Sequence, residues 1–161
     1  MFSNGTVITI FGAAVAAFLS GAGSAIGVRA GGVAAAGVTS EKPELFGKLL
    51  VLQALPGTQG IYGFLTAVLI LVTSGLMGGS GAQISVSQGW AYFFSGLPIG
   101  ILGLVSAIYQ GKVAVAAIHM TAKQPEASGK GITMAVLVET YAILGLLVSL
   151  LLVLFATKGI I

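Results

Sequence analysis

Glu139 is the residue on which chemistry can hang. It lies in the stretch from Thr133 to Phe155, otherwise uncharged and long enough to cross a bilayer. An ionised carboxylate at that depth costs about 2.5 to 3.5 kcal/mol on insertion scales, so it needs a cation, a proton or hydrogen-bonding partners. Two other stretches offer partners. Gln110 and Glu139 are equidistant from Gln124-Pro125, so an antiparallel helical hairpin turning there sets the amide level with the carboxylate. Upstream, Leu55, Thr58, Gln59 and Tyr62 fall at i, i+3, i+4 and i+7, one face of a helix. Pro56 has no N–H to give the Leu52 carbonyl, and Gly57 has no side chain, so backbone oxygen is accessible at this point.

The donors gathered in this way are a carboxylate, two amide oxygens, a hydroxyl and a backbone carbonyl. Gln and Thr supply oxygen without adding charge, and hard cations are held by oxygen. One negative charge in such a set balances a monovalent cation, which favours Na⁺. A proton on Glu139 is the alternative, and it needs only the acid and an acceptor. Taken singly, each neighbour has a plainer role: Gln as glue between helices, Thr58 bonded to its own i−4 carbonyl, Tyr62 as packing. Their common depth is what makes them a site.

The remaining polar residues carry less. His119 reads as interfacial, with no second histidine to make a metal site, Arg29 and Lys112 as snorkelling or headgroup contacts, and Glu44 and Glu126 as solvated loop residues. No Gly-x-x-x-x-Gly-Lys-Ser/Thr loop exists to bind nucleotide.

What positions these residues is a membrane-spanning scaffold. Of 161 residues, 57% are hydrophobic and 7% charged, against about 25% charged in an ordinary soluble domain. No charge occurs in the 63 residues from Leu49 to Gly111, enough for two spans of about 20 residues and a turn. The pattern predicts helices over about Val7–Val38, Phe46–Leu76, Trp90–Met120 and Gly129–Thr157. The net charge of +3 is too small and too localised to indicate nucleic acid. The absence of cysteine leaves the redox compartment open. Met1–Thr6 lacks the basic start of a cleaved signal peptide.

Charge also sets the expected orientation. Arg29, Lys42 and Lys48 flank the first connection and Lys112, Lys123 and Lys130 the third. By the positive-inside rule, loops 39–46 and 121–128 face the cytoplasm, and both termini and the glycine-rich turn Met77–Gln83 face the other side.

A shift of 82 residues aligns Ser24-Ala25-Ile26 with Ser106-Ala107-Ile108 and Pro43-Glu44-x-x-Gly47-Lys48 with Pro125-Glu126-x-x-Gly129-Lys130. From Phe18 to Val72 the ungapped match is 18 identities in 55, enough to read the chain as a tandem duplication. The fold class is therefore all-α and membranous: four transmembrane helices as two parallel-repeated hairpins, 1–80 and 81–161. Glu139 aligns with Gly57, so only the second hairpin carries the acid. A purely structural carboxylate would have little reason to sit on one copy of a shared plan.

Small residues recur every fourth position in the first helix (Gly23, Gly27, Gly31) and in the third (Gly103, Ala107, Gly111). Such faces let backbones approach closely in lipid, and they predict two inner helices packed on both sides. The Leu-rich ends Leu65–Val72 and Leu146–Phe155 suit acyl chains. Wedges of this kind close side by side into a homo-oligomeric ring.

Three segments, Leu55-Pro-Gly-Thr-Gln-Gly-Ile-Tyr-Gly63, Gln110-Gly-Lys-Val-Ala114 and Val138-Glu-Thr-Tyr-Ala-Ile-Leu-Gly145, resemble the duplicated proteolipid, the rotor-ring component, of prokaryotic sodium-transporting V-type ATPases. The likeness spans nearly the whole chain. It implies a ring in a prokaryotic plasma membrane, turning against a stator subunit that supplies a cation, joined to a central stalk at the cytoplasmic loops, with ATP hydrolysed on other subunits. It also implies Na⁺ held by Glu139, Gln110, Gln59, Thr58 and the Leu55 carbonyl, with Tyr62 bonded to the carboxylate. Pro56 alone points instead to the Leu52 carbonyl, and that choice stays open at this point. A passive channel or small transporter is the reading from a different class.

Overall fold

The computed structural model describes residues 4–78 and 83–158. Among them are four helical spans long and apolar enough to cross a membrane. Helix α1 runs Asn4–Glu41. The second span is made of α2 (Phe46–Ala54) and α3 (Thr58–Thr73), joined by a 3₁₀ turn at Leu55–Gly57. Helix α4 runs Val86–Lys123 and α5 runs Ser128–Thr157. No strand occurs among the described residues.

Helices α1 and α4 exceed the expected spans at both ends. At 1.5 Å per residue, 38 residues reach about 57 Å, well beyond the roughly 30 Å of hydrocarbon. Helix α4 begins at Val86 rather than Trp90 because Ser85 caps it, its Oγ accepting the Gln88 N–H at 3.2 Å. The second span stops at Thr73 rather than Leu76. Gly75 there takes φ 77°, a left-handed conformation that glycine enters without steric cost. The expected turn Met77–Gln83 falls largely on 79–82, outside the described residues, as do the proposed hairpin boundary at 80/81 and the chain ends.

Each loop between paired spans is a short 3₁₀ turn opened by proline, Pro43–Leu45 and Pro125–Ala127. Proline fixes φ and lacks an N–H, so it suits the first position of a turn and stops the preceding helix.

The centre of the molecule is backbone contact between α1 and α4. A Cβ added at Gly111 would lie 2.5 Å from the Gly27 Cα, one at Gly12 2.6 Å from the Phe93 Cα, and one at Gly23 2.6 Å from the Leu104 Cα. The glycine stripe of α1 divides its labour, since Gly31 instead faces the Gln53 Cα on α2. Apolar clusters close both ends: Ala13, Ile70, Tyr92 and Val153 near one, Ala35, Leu49, Leu52 and Ile118 near the other. The outer face of α1 is uncovered, with Phe11, Phe18 and Val33 all exposed. Within one chain, then, α1 packs against α4 and against the second span, and its remaining face has no cover.

These contacts make the glycines unequal. Gly111→Ala should lower the stability of the detergent-solubilised protein by about 1–3 kcal/mol, because its obstacle is backbone that cannot turn aside. Gly37 meets nothing within 4 Å, so Gly37→Ala should stabilise the helix by roughly 0.5–1 kcal/mol. Thermal unfolding of the two variants, read side by side, checks both signs.

Candidate ion-binding site

Antiparallel packing of α4 on α5 sets Gln110 level with Glu139, as equal distance from the Pro125 turn requires. The Gln110 Nε2 donates to Glu139 Oε2 at 3.3 Å. From the second span, Tyr62 donates its O–H to the other carboxylate oxygen, Glu139 Oε1, at 2.7 Å. Glu139 is 7% exposed and Gln110 and Gln59 fully buried.

Gln59 extends the chain of contacts inward. Its Nε2 donates to Gln110 Oε1 in a short hydrogen bond and to Ser106 Oγ at 3.2 Å. Ser106 in turn donates to the Val138 carbonyl at 2.9 Å, one residue before the acid. Thr58 donates to the Leu55 carbonyl at 3.0 Å and lies 3.4 Å from Gln59 Oε1. The residues anticipated for the site, Glu139, Gln110, Gln59, Thr58, Leu55 and Tyr62, are thus brought together at one level.

Pro56 shapes this level differently from the local expectation. Rather than leaving one continuous helix, it tightens the chain into the 3₁₀ turn Leu55–Gly57, and the Thr58 N–H bonds Leu55 O. The oxygen beside the Thr58 hydroxyl is therefore that of Leu55, at i−3 and not i−4. The break also redirects the Gly60 N–H, which donates to Ser24 Oγ on α1 at 2.7 Å. Pro56 is buried between the helices and Gly57 half-buried, with open room beside it: an added Cβ would meet only the Val28 Cγ2, at 3.6 Å.

Ser106 was not anticipated. Its signal was available, since it sits one helical turn before Gln110 on the same face and recurs as Ser24 in the first hairpin. The first hairpin holds Gly57 where the second holds Glu139, and Val28 where the second holds Gln110. Acid and amide are missing together there. The Thr–Leu pair survives in both copies: Thr140 donates to the Leu137 carbonyl at 2.7 Å, as Thr58 does to Leu55.

Away from the site, Lys112 Nζ lies 4.8 Å from the Tyr109 ring centroid, a cation–π distance. His119, Arg29, Glu44 and Glu126 are exposed. Among the described residues no group of three or more His, Cys, Asp or Glu side chains could hold a metal.

Two like hairpins joined by glycine contacts, one of them bearing a buried acid among neutral oxygens, define a duplicated membrane proteolipid. The family model of the ATP synthase C subunit matches the chain twice, at residues 11–70 and 93–152, with the starts of the two matches offset by the repeat interval. The chain belongs to that family. It is 49% identical over 154 residues to the K subunit of the V-type sodium ATPase of Enterococcus hirae, covering 96% of this chain and 95% of that one. It is 41% identical to the K subunit of the A-type ATP synthase of Methanocaldococcus jannaschii, over 95% of this chain and 64% of that protein. To the V-type proton ATPase 16 kDa proteolipid subunit of Chrysotila carterae it is 32% identical, over 88% of this chain and 86% of the other.

Ser106 provides a test of the network independent of any ion. Ser106→Ala removes an acceptor from the buried Gln59 amide and a donor from the Val138 carbonyl. It should cost roughly 1–3 kcal/mol, read as a lowered Tm in detergent at fixed ionic conditions. An unchanged Tm would take Ser106 out of the network.

Proposed function

We propose that this chain is the rotor-ring subunit of a V-type ATPase and that it carries Na⁺ through the membrane on Glu139. The observation that carries this reading is the buried carboxylate of α5, flanked by the oxygen-bearing side chains of Gln110, Gln59 and Thr58 and by the Leu55 carbonyl. The sodium ATPase named for a relative 49% identical supports the choice of ion. Copies of the chain close into a ring. A stator subunit supplies the cation that meets the emptied acid, a central stalk holds the loops around Pro43 and Pro125, and lipid covers the outer helices. Both loops face the cytoplasm and both termini the opposite side. ATP hydrolysis belongs to other subunits, and this chain performs no catalysis itself.

The physics of the cycle follows from charge. Na⁺ against one carboxylate makes a nearly neutral site that can pass through hydrocarbon, whereas the bare carboxylate cannot. Moving each charge against 100 mV costs about 2.3 kcal/mol, which rotation driven by ATP supplies. Gln110 shows its N–H to Glu139 and its oxygen to Gln59. Turning that amide by 180° aims its oxygen at the carboxylate, the orientation a cation between the two requires, and Gln59 turns with it so that its oxygen rather than its N–H meets the Gln110 N–H. Tyr62 stays on the other carboxylate oxygen and fixes its direction.

Carbodiimide modification of Glu139 tests the ion. Millimolar Na⁺ at fixed pH should protect the carboxyl, and indifference to Na⁺ would assign the site to the proton instead. Glu139→Gln should abolish ion-coupled ATP hydrolysis while the ring still assembles. Gln110→Leu and Gln59→Leu should each raise the Na⁺ concentration giving half-protection by about tenfold or more, the equivalent of losing 1.4 kcal/mol. An unchanged requirement would remove that residue from the site.

A further inference from the structure

The loops around Pro43 and Pro125 share one backbone. Lys42 and Gln124 take φ, ψ of −135°, 72° and −137°, 88°. The Lys42 N–H bonds the Val38 carbonyl at 2.8 Å, and the Gln124 N–H bonds that of Met120 at 2.8 Å. Their surroundings differ. Lys48 Nζ, from the first hairpin, donates to the Pro125 carbonyl at 2.9 Å, and Lys42 Nζ donates to the Ala122 carbonyl at 2.6 Å. The first hairpin thus grips the loop of the second. Lys130, the repeat counterpart of Lys48, is exposed, and its side chain has no hydrogen bond or ion pair among the described residues.

The same asymmetry continues into the membrane. The first hairpin docks on the second through Ser20, whose Oγ donates to the Ile99 carbonyl, through Gly23 and Gly27 against Leu104 and Ala107, and through Gln59. The residues 82 positions on from these four are Leu102, Val105, Tyr109 and Tyr141. They line an open groove of about 260 Å³, and Val105, Tyr109 and Tyr141 are exposed.

We propose that this groove and Lys130 form the seam with the first hairpin of a second copy of the chain. That seam repeats the register of the seam inside the chain, so that Lys130 Nζ donates to the Pro43 carbonyl of that copy. The proposal rests on the ring reading above and adds to it which residues meet. The rotation that carries the first hairpin onto the second carries the second onto a first hairpin of the next copy, as head-to-tail rings require. Pro43 O accepts the Phe46 N–H and keeps a second lone pair for the ammonium. Between copies the large side chains Val105 and Tyr109 stand where glycine stands within a chain, so the loop contact carries a larger share of the register there.

The test uses the intact oligomer, assembled from isotopically light and heavy copies carrying Lys130→p-benzoylphenylalanine. Irradiation should yield light–heavy crosslinked peptides ending in residues 39–46. Crosslinks confined to one copy, or to any other segment, or none at all, would overturn the proposal. Native mass spectrometry of the unsubstituted protein separates the two levels, because absence of a closed oligomer there would sink the ring reading itself. Lys130→Met should also lower the temperature at which the oligomer dissociates into copies, while Lys123→Met, which removes the same charge nearby, should not. Equal behaviour of the two variants would likewise overturn the Lys130 contact.

Discussion

One carboxylate in hydrocarbon sets the terms for the rest of this structure. At the depth of Glu139 water cannot solvate an anion, and a transmembrane helix leaves its neighbours few backbone groups to spare. The chain answers with side chains that are polar but uncharged: Tyr62 on one oxygen, Gln110 on the other, and Gln59 and Ser106 behind them. A lysine or arginine in that place would make a closed ion pair, permanently satisfied and useless for transport. Neutral donors leave an ionised carboxylate short of compensation, and in the function proposed above that shortfall is what draws a small cation.

Such a network works only if its members, drawn from α3, α4 and α5, are held at one depth. The glycine contacts of α1 with α4 and with α3 hold two of these helices in register. With Gly27 and Gly111 backbone to backbone, the helices cannot slide without collision, and the loops lock the other coordinate through Lys42 and Lys48. Duplication then supplies economy of a different kind. The first hairpin supplies the 3₁₀ segment, the threonine and the glutamine that face the acid, and has Gly57 and Val28 where the second has the acid and its amide. Each copy of the plan has become one half of a single site.

Much of this was legible in the sequence because helices obey a fixed rise. Equal distance from the Pro125 turn placed Gln110 beside Glu139, and four-residue spacing put Thr58, Gln59 and Tyr62 on one face. The family motifs pointed to the Leu55 carbonyl, where local reasoning preferred Leu52. Proline can leave a carbonyl bare or tighten the next turn, and at Pro56 the chain tightens into the 3₁₀ turn whose first residue is Leu55. Ser106 escaped notice for a related reason. A serine in a small-residue helix reads as packing until a glutamine from another span is known to reach it. The helix ends ran beyond the expected spans because hydropathy marks where lipid stops, whereas α1 and α4 continue on their own hydrogen bonds and on the cap at Ser85.

The prolines show how a membrane helix can be broken without loss. Beside Pro56, the Gly60 N–H is received by Ser24 Oγ across the α1 interface. Beside Pro98, the Ile99 N–H is received by Ser149 Oγ on α5, and the Ile99 carbonyl accepts from Ser20 on α1. Backbone groups in hydrocarbon must find partners within the protein, and the amides of Gly60 and Ile99 each find a hydroxyl on a neighbouring helix. A break met in this way becomes a key between helices, because sliding by one residue would strand both the amide and the hydroxyl. The Pro56 break therefore does two things at once: it presents the Leu55 carbonyl beside Thr58, and through Gly60 and Ser24 it pins the level at which α3 packs on α1.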